Sequence, residues 1–270
     1  MFSGQKKRIK VLLSILSASL LILTCKMDHG LEPIRSGISG TIEYIGSWPE
    51  NTAEVRIVAA TKFPPTDVND LIIGDILPIG GASTVYNFYL DPGDYYLGLV
   101  WREQDAAWGI QSIFGIYTEP DNAFSPGLIT IPDDTTIVTG KDIIADFAHA
   151  KRASNGSISG KIKFIGNWPE QVENLMVIAS TQFPPESLLD FAFSNLLPAY
   201  VDSIDYFIPA APDTYQAVGA VIKLVDQSWA LENIVGLLFK PNSLELQEVI
   251  VTDEESQVKG VNLTVYFRGQ

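Results

Sequence analysis

Residues 38–50 read Ile38-Ser39-Gly40-Thr41-Ile42-Glu43-Tyr44-Ile45-Gly46-Ser47-Trp48-Pro49-Glu50. Residues 158–170 return to them as Ile158-Ser159-Gly160-Lys161-Ile162-Lys163-Phe164-Ile165-Gly166-Asn167-Trp168-Pro169-Glu170. The offset of 120 persists through Phe63-Pro64-Pro65 and Phe183-Pro184-Pro185, with 14 identities in the 28 positions from 38 to 65. Chance supplies about two. Leu77-Pro78 then matches Leu197-Pro198, Pro92 matches Pro212, Gly140 matches Gly260, and Phe147 matches Phe267. Midway the offset slips to 121, pairing Trp108 with Trp229 and Gly115 with Gly236, which a one-residue insertion or deletion in a loop explains. A unit of this length exceeds a solenoid repeat and suits a sandwich domain. The chain therefore reads as a tandem duplication, with repeats over 37–147 and 157–270 joined by a short polar hinge, 148–156.

Within a repeat the apolar period is two, the signature of half-buried strands. Ile38, Gly40, Ile42 and Tyr44 face one way, with Ser39, Thr41 and Glu43 opposite; Val55, Ile57 and Ala59 alternate likewise, as do Tyr86, Phe88 and Leu90. Tyr95 to Trp101, Ser112 to Tyr117, Leu128 to Ile131 and Asp142 to Phe147 complete seven short strands, separated by turns such as Asp91-Pro92-Gly93-Asp94. That pattern predicts an all-β protein of two antiparallel sandwiches. One segment departs from it. Thr66 to Leu77 places Val68, Leu71, Ile72 and Ile76 at helical spacing, and Leu188, Phe191, Ala192 and Leu196 repeat the pattern, so each sandwich is expected to carry a short inserted amphipathic helix.

Three stretches of the first repeat look like the transthyretin-like (prealbumin-like) carboxypeptidase regulatory domain. They are Gly37-Ile38-Ser39-Gly40-Thr41-Ile42, Tyr86-Asn87-Phe88-Tyr89-Leu90-Asp91-Pro92-Gly93-Asp94-Tyr95-Tyr96-Leu97 and Asp142-Ile143-Ile144-Ala145-Asp146-Phe147. The second repeat departs from the family at Pro209-Ala210-Ala211-Pro212-Asp213-Thr214-Tyr215, which lacks the turn glycine. The resemblance implies two seven-stranded Greek-key sandwiches and carries no catalytic residue over.

The N-terminus reads as an export signal. Lys6, Lys7, Arg8 and Lys10 precede the uncharged apolar run Val11 to Leu23. Thirteen helical residues rise only about 20 Å, short of the roughly 30 Å hydrocarbon core. Ile22-Leu23-Thr24-Cys25 resembles the lipobox of bacterial lipoproteins, with Thr24 where the family usually has Gly, Ala or Ser. The resemblance implies cleavage of residues 1–24, lipid attachment at Cys25, and a tether over 25–36 that holds the protein to the bacterial cell envelope. Lys26 after the cysteine implies transfer to an outer membrane or the cell surface.

Composition excludes several classes. Eighteen Lys and Arg stand against 32 Asp and Glu, a net charge of −14, which disfavours nucleic acid, whose binding rests on basic groups that neutralise phosphate. Residues 1–24 hold four of the basic residues and none of the acidic ones, so their loss leaves −18; an anionic bilayer repels such a chain, and lipid rather than surface charge holds it. One cysteine and two histidines, His29 in the tether and His149 in the hinge, leave little for metal or nucleophile–base chemistry. No Gly-x-Ser-x-Gly, phosphate-cradling glycine loop or His-Glu-x-x-His is present. No enzymatic activity, cofactor or metal is expected.

The candidate ligand-binding residues sit in loops. Trp48-Pro49-Glu50 and Trp168-Pro169-Glu170 each follow a first strand, and Trp108 and Trp229 form a second matched pair. Two readings fit: the indoles are stacking platforms for a glycan, or they plug the open end of each sandwich. Phe63-Pro64-Pro65 with the segment after it offers an apolar groove for a partner or a stop to the second strand. The Glu50/Glu170 and Asp70/Asp190 pairs, kept across both repeats, each offer either calcium ligands or a solvated face. The function these readings give is a non-enzymatic envelope lipoprotein acting as a binding or scaffold module. The alternatives are glycan recognition through the loop tryptophans, or an accessory subunit of an envelope protein complex.

Overall fold

The computed structural model describes residues 35–253 and 256–267; the expected export signal and Cys25 lie outside these residues. The first half holds β1 (Gly37–Ile45), β2 (Thr52–Ala60), β3 (Leu71–Ile76), β4 (Ser83–Tyr89), β5 (Gly93–Glu103) and β6 (Ile113–Ile116). The short β7 (Thr118–Glu119), β8 (Asn122–Pro126), β9 (Ile129–Ile131), β10 (Ile137–Val138) and β11 (Ile143–Asp146) complete it. The second half holds β12 (Ser157–Ile165), β13 (Val172–Ser180), β14 (Phe191–Phe193), β15 (Ser203–Pro209) and β16 (Asp213–Tyr215). After these come β17 (Ala217–Leu224), β18 (Ile234–Leu237), β19 (Val249–Val251), β20 (Gln257–Val258) and β21 (Leu263–Tyr266). The molecule is all-β in a sandwich-like arrangement, and each of the seven strands expected in the first repeat is present. No helix among the described residues is long and apolar enough to cross a membrane.

In β1 the alternation works as the sequence predicts: Ile38, Ile42 and Tyr44 are buried while Thr41, Glu43 and Ile45 face solvent. β4 pairs antiparallel with one edge of β1, but β10 and β11 pair parallel with the other, so the sheets are mixed where the sequence pattern predicts antiparallel ones. A second layer runs β3-β2-β5-β6, joined to the first where Ala145 of β11 pairs with Gly115 of β6. The second half repeats the pairings at the same offset: Ile38 opposite Phe88 becomes Ile158 opposite Ile208, and Ile42 beside Ile143 becomes Ile162 beside Leu263. Each half buries its own apolar cluster between its layers.

The duplicated glycine of the opening motif has a steric cause. A Cβ on Gly40 would strike the carbonyl oxygen of Lys141, and one on Gly160 that of Val261. These are the residues whose N–H groups bond Ser39 and Ser159 as the chain passes β1 and β12. A side chain at either glycine would push that crossing segment off its strand.

Two expectations are corrected. Where the spacing predicts helices over Thr66–Leu77 and the matching segment, each half has a single 3-10 turn, Val68–Asp70 and Leu188–Asp190, followed by a strand. The turn is closed by a capping box, Asp67 with Asp70 and Ser187 with Asp190. The next residue, Leu71 or Phe191, is already extended. β3 then adds to the edge of β2, pairing Leu71 with Ala60 and Ile73 with Val58. A short apolar run suits either element, and the open edge of β2, together with the β-branched Ile72, Ile73 and Ile76, favours the strand.

The second correction concerns the slip in offset, which falls inside a strand and not in a loop. Tyr95 and Tyr215 hold equivalent places, each donating its hydroxyl to the backbone four residues upstream. Ala60 opposes Tyr96, however, whereas Ser180 opposes Ala217. The extra residue is Gln216, a bend that divides into β16 and β17 what is one continuous β5 in the first half. In that register Trp101 matches Ile222.

Candidate functional site

The structure places the six candidate binding residues in separate settings. Trp48 donates its indole N–H to the carbonyl of Gly81 at 2.9 Å and packs on Tyr44 and Phe147, with ring centroids 4.7 and 4.6 Å away. Trp168 repeats this with Val201 at 3.1 Å, against Phe164, Phe267 and Tyr200. Both indoles lie half-buried against the core clusters, and Glu50 and Glu170 beside them are exposed. Trp108 lies under two guanidiniums, Arg102 at 5.4 Å and Arg56 at 6.0 Å from its ring centre. Both arginines are held by the buried carboxylate of Glu54, at 2.7 and 2.8 Å. Burial pushes the Glu54 carboxyl up, and its bonds to Arg102 and Arg56 more than reverse this, leaving it below its usual value. Trp229 is buried, in a small cluster with Met176, Ile178 and Val221 on the outer side of the second-half sheet.

The Asp70/Asp190 pair is not a solvated face. Asp70 Oδ2 accepts from the backbone of Thr66 and Asp67, and Oδ1 pairs with Lys62 at 3.0 Å. These bonds, led by that from Thr66, hold its carboxyl below the ordinary range. Asp190 is buried, its Oδ2 accepting from Glu186 at 2.6 Å and Ser187 at 2.9 Å. Each carboxylate closes a turn and holds the edge strand in place.

A cavity lies where the halves meet, and sequence reasoning located only part of its lining. Phe63 and the two prolines after it form one wall, and the turn and strand of Leu188 to Phe193 form another. Phe63 meets Phe193 at 5.3 Å and Phe124 meets Phe191 at 6.4 Å. Between the walls is a cavity of about 90 Å³, with Gln111, His149, Lys151, Thr181 and Asp190 as its polar members. His149, from the linker, is mostly buried, with its Nε2 3.9 Å from Asp190 Oδ1.

The segment expected as a hinge is bonded to both halves. Lys151 pairs with Asp213 at 2.6 Å, Arg152 pairs with Glu103 at 3.3 Å, and Gln111 donates to the carbonyl of Ser154. Farther along the junction, Asn122 donates to the carbonyl of Trp229 and Ser228 donates to the carboxylate of Glu119. Contacts of this kind, between residues more than 100 positions apart, leave no local mark in a sequence. The duplicated Phe-Pro-Pro was the one signal that pointed here.

No family model matches the chain, and no curated protein matches it. Several solved structures align along most of its length at low similarity. A candidate adhesin from Bacteroides ovatus is 10% identical over 87% of this chain and 89% of its own, with a TM-score of 0.23. The fimbrial anchor protein from Porphyromonas gingivalis is 8% identical over 80% and 95%, with a TM-score of 0.22. The TIE protein of Bacillus anthracis is 8% identical, with 87% of this chain aligned to 34% of that one at a TM-score of 0.21. Likeness this distant has no bearing on what the chain binds.

Proposed function

We propose that the chain is a lipoprotein of the bacterial cell envelope, exported by residues 1–24 and anchored through lipid on Cys25. Its two transthyretin-like sandwiches, 37–147 and 157–270, act as a non-enzymatic scaffold and binding module. The observation that carries the reading is the use made of the buried carboxylates. Glu54 and Asp190, the two among the described residues, are both engaged in holding the fold, one between two guanidiniums and one in a capped turn. The bonded linker supports the scaffold part, because it makes a stiff spacer of two sandwiches. Trp48 and Trp168 already engage their N–H groups and ring neighbours inside the fold, which favours scaffold over glycan stacking.

The test is metabolic labelling of the full chain with a fatty-acid analogue, beside Cys25→Ala. Wild type is expected to carry label and sediment with membranes, and the variant to lose both. An unlabelled wild type, or a labelled variant, would overturn the anchor. Turnover of a chromogenic ester, glycoside or peptide by the purified chain, abolished by Glu54→Gln, would overturn the non-enzymatic reading.

A further inference from the structure

The halves repeat, yet they do not meet through equivalent surfaces. Phe63 is 9% exposed at the junction, while Phe183, its counterpart, is 42% exposed and the Pro184 beside it is also in solvent. The opposite surface is used in the opposite half. Leu188 and Asp190 are buried and Phe193 is covered by Phe63, whereas Ile73, which stands where Phe193 does, is 43% exposed. The adjoining contact follows suit. Phe124, in the hairpin after Pro120, meets Phe191, while Leu244, in the turn after Pro241, is 92% exposed.

A contact between unlike surfaces of like units is heterologous and leaves one copy of each surface unused. Here the unused turn-and-strand surface, the exposed Ile73 with the half-buried Leu71 beside it, is on the first half, and the unused Phe-Pro surface (Phe183, Leu244) is on the second. Both stay apolar, and exposed apolar clusters mark interaction sites. We infer that the occupant of each is a second copy of this chain. The second half of one molecule docks on the first half of the next, with Phe183 seated on Ile73 as Phe63 is seated on Phe193. The occupant is identified by continuity with the junction already inside the chain, whose apolar partners recur at the free ends: Ile73 for Phe193, Leu71 for Phe191, Phe183 for Phe63. A contact of this type propagates into a ring or a filament, according to whether its rotation closes. The charge of −14 opposes the approach of like chains, so screening by salt is expected to promote it. The inference goes beyond the proposed function and does not depend on the anchor.

Bismaleimide crosslinking of the full chain in detergent tests it. The double variant Ile73→Cys/Phe183→Cys is expected to give a ladder of dimers, trimers and higher species that strengthens with salt. The parent chain, whose only cysteine is Cys25, sets the background. Phe63→Cys/Phe193→Cys is expected to crosslink within one chain and stay monomeric, which reports that the junction is intact. Leu71→Asp in the double variant is expected to remove the ladder, while the same substitution in the Phe63→Cys/Phe193→Cys pair leaves crosslinking within one chain intact. A double variant that stays monomeric while the control pair crosslinks overturns the inference, and so do single variants that dimerise as strongly as the double, since that marks a twofold contact. Sedimentation of the unmutated chain over a concentration series is independent of every substitution: mass that grows with concentration supports the inference, and a monomer throughout overturns it.

Discussion

Tyr44 and Phe164 occupy the same place in the two halves, and only one of them carries a hydroxyl. The Tyr44 ring lies 4.7 Å from Trp48 and 5.8 Å from Phe147; the Phe164 ring lies 4.4 Å from Trp168 and 5.9 Å from Phe267. The packing is thus the same with and without the oxygen. That oxygen is the one buried side-chain polar atom among the described residues left without a hydrogen-bond partner. An unsatisfied buried hydroxyl costs roughly 1–3 kcal/mol. Tyr44→Phe removes it and keeps the ring. Because Tyr44 is 8% exposed, the lower end of the range applies, and the variant is expected to gain about 1 kcal/mol. For the two halves melting as one body that is a rise of roughly 2–4 °C in melting temperature. Thermal melts and urea titrations of both chains measure it, with an unchanged denaturant slope showing that the gain lies in stability. A loss of stability of about 1 kcal/mol or more would mean that the hydroxyl has a partner, and would refute the reasoning.

Burial raises Tyr44 to about 12 from an ordinary value of 10.0, and pushes Tyr86, Tyr206 and Tyr215 up as well. The folded state therefore holds these phenols neutral after the unfolded chain has begun to ionise them. Their stabilising effect is complete below about pH 10 and is lost as pH climbs through the folded values, so alkaline melts are expected to fall above pH 10, less steeply in Tyr44→Phe. Gly160→Ala forces a methyl group onto the Val261 carbonyl and is expected to cost about 2 kcal/mol, read by denaturant unfolding; a neutral result would mean that the crossing segment moves freely. Trp168→Ala removes an indole packed on three aromatic rings and is expected to cost about 3 kcal/mol, so a variant with an unchanged melting temperature and lost carbohydrate binding would instead favour the glycan reading.

The strands were legible because one face of each is buried: Ile38, Ile42 and Tyr44 declare their side of β1 without help from elsewhere in the chain. The edge strands after the 3-10 turns were not. Val68, Leu71, Ile72 and Ile76 satisfy a helical period as well as a strand, and what decides between them is the open edge of β2, a fact of the assembled sheet. The junction was hidden for a related reason. Phe63-Pro64-Pro65 and Phe183-Pro184-Pro185 are identical words, yet one is buried and the other exposed. The difference arises from which half lies against which, and it is not written in either triplet. The tryptophans fall between these cases: their duplication was plain, while the carbonyls of Gly81 and Val201 that receive their N–H groups lie 33 residues away.

The parallel pairing of β1 with β11 has a mechanical meaning. Load applied between the start of the first half and the linker to the second pulls β1 by its N-terminal end and β11 by its C-terminal end. Because the two strands run in the same direction, that tension slides one along the other, and the bonds that join Ile42 through Ile45 to Ile143 through Asp146 resist together instead of opening one by one. β12 and β21 repeat the arrangement. A protein stretched between a surface and whatever it holds would meet drag with two shear clamps in series.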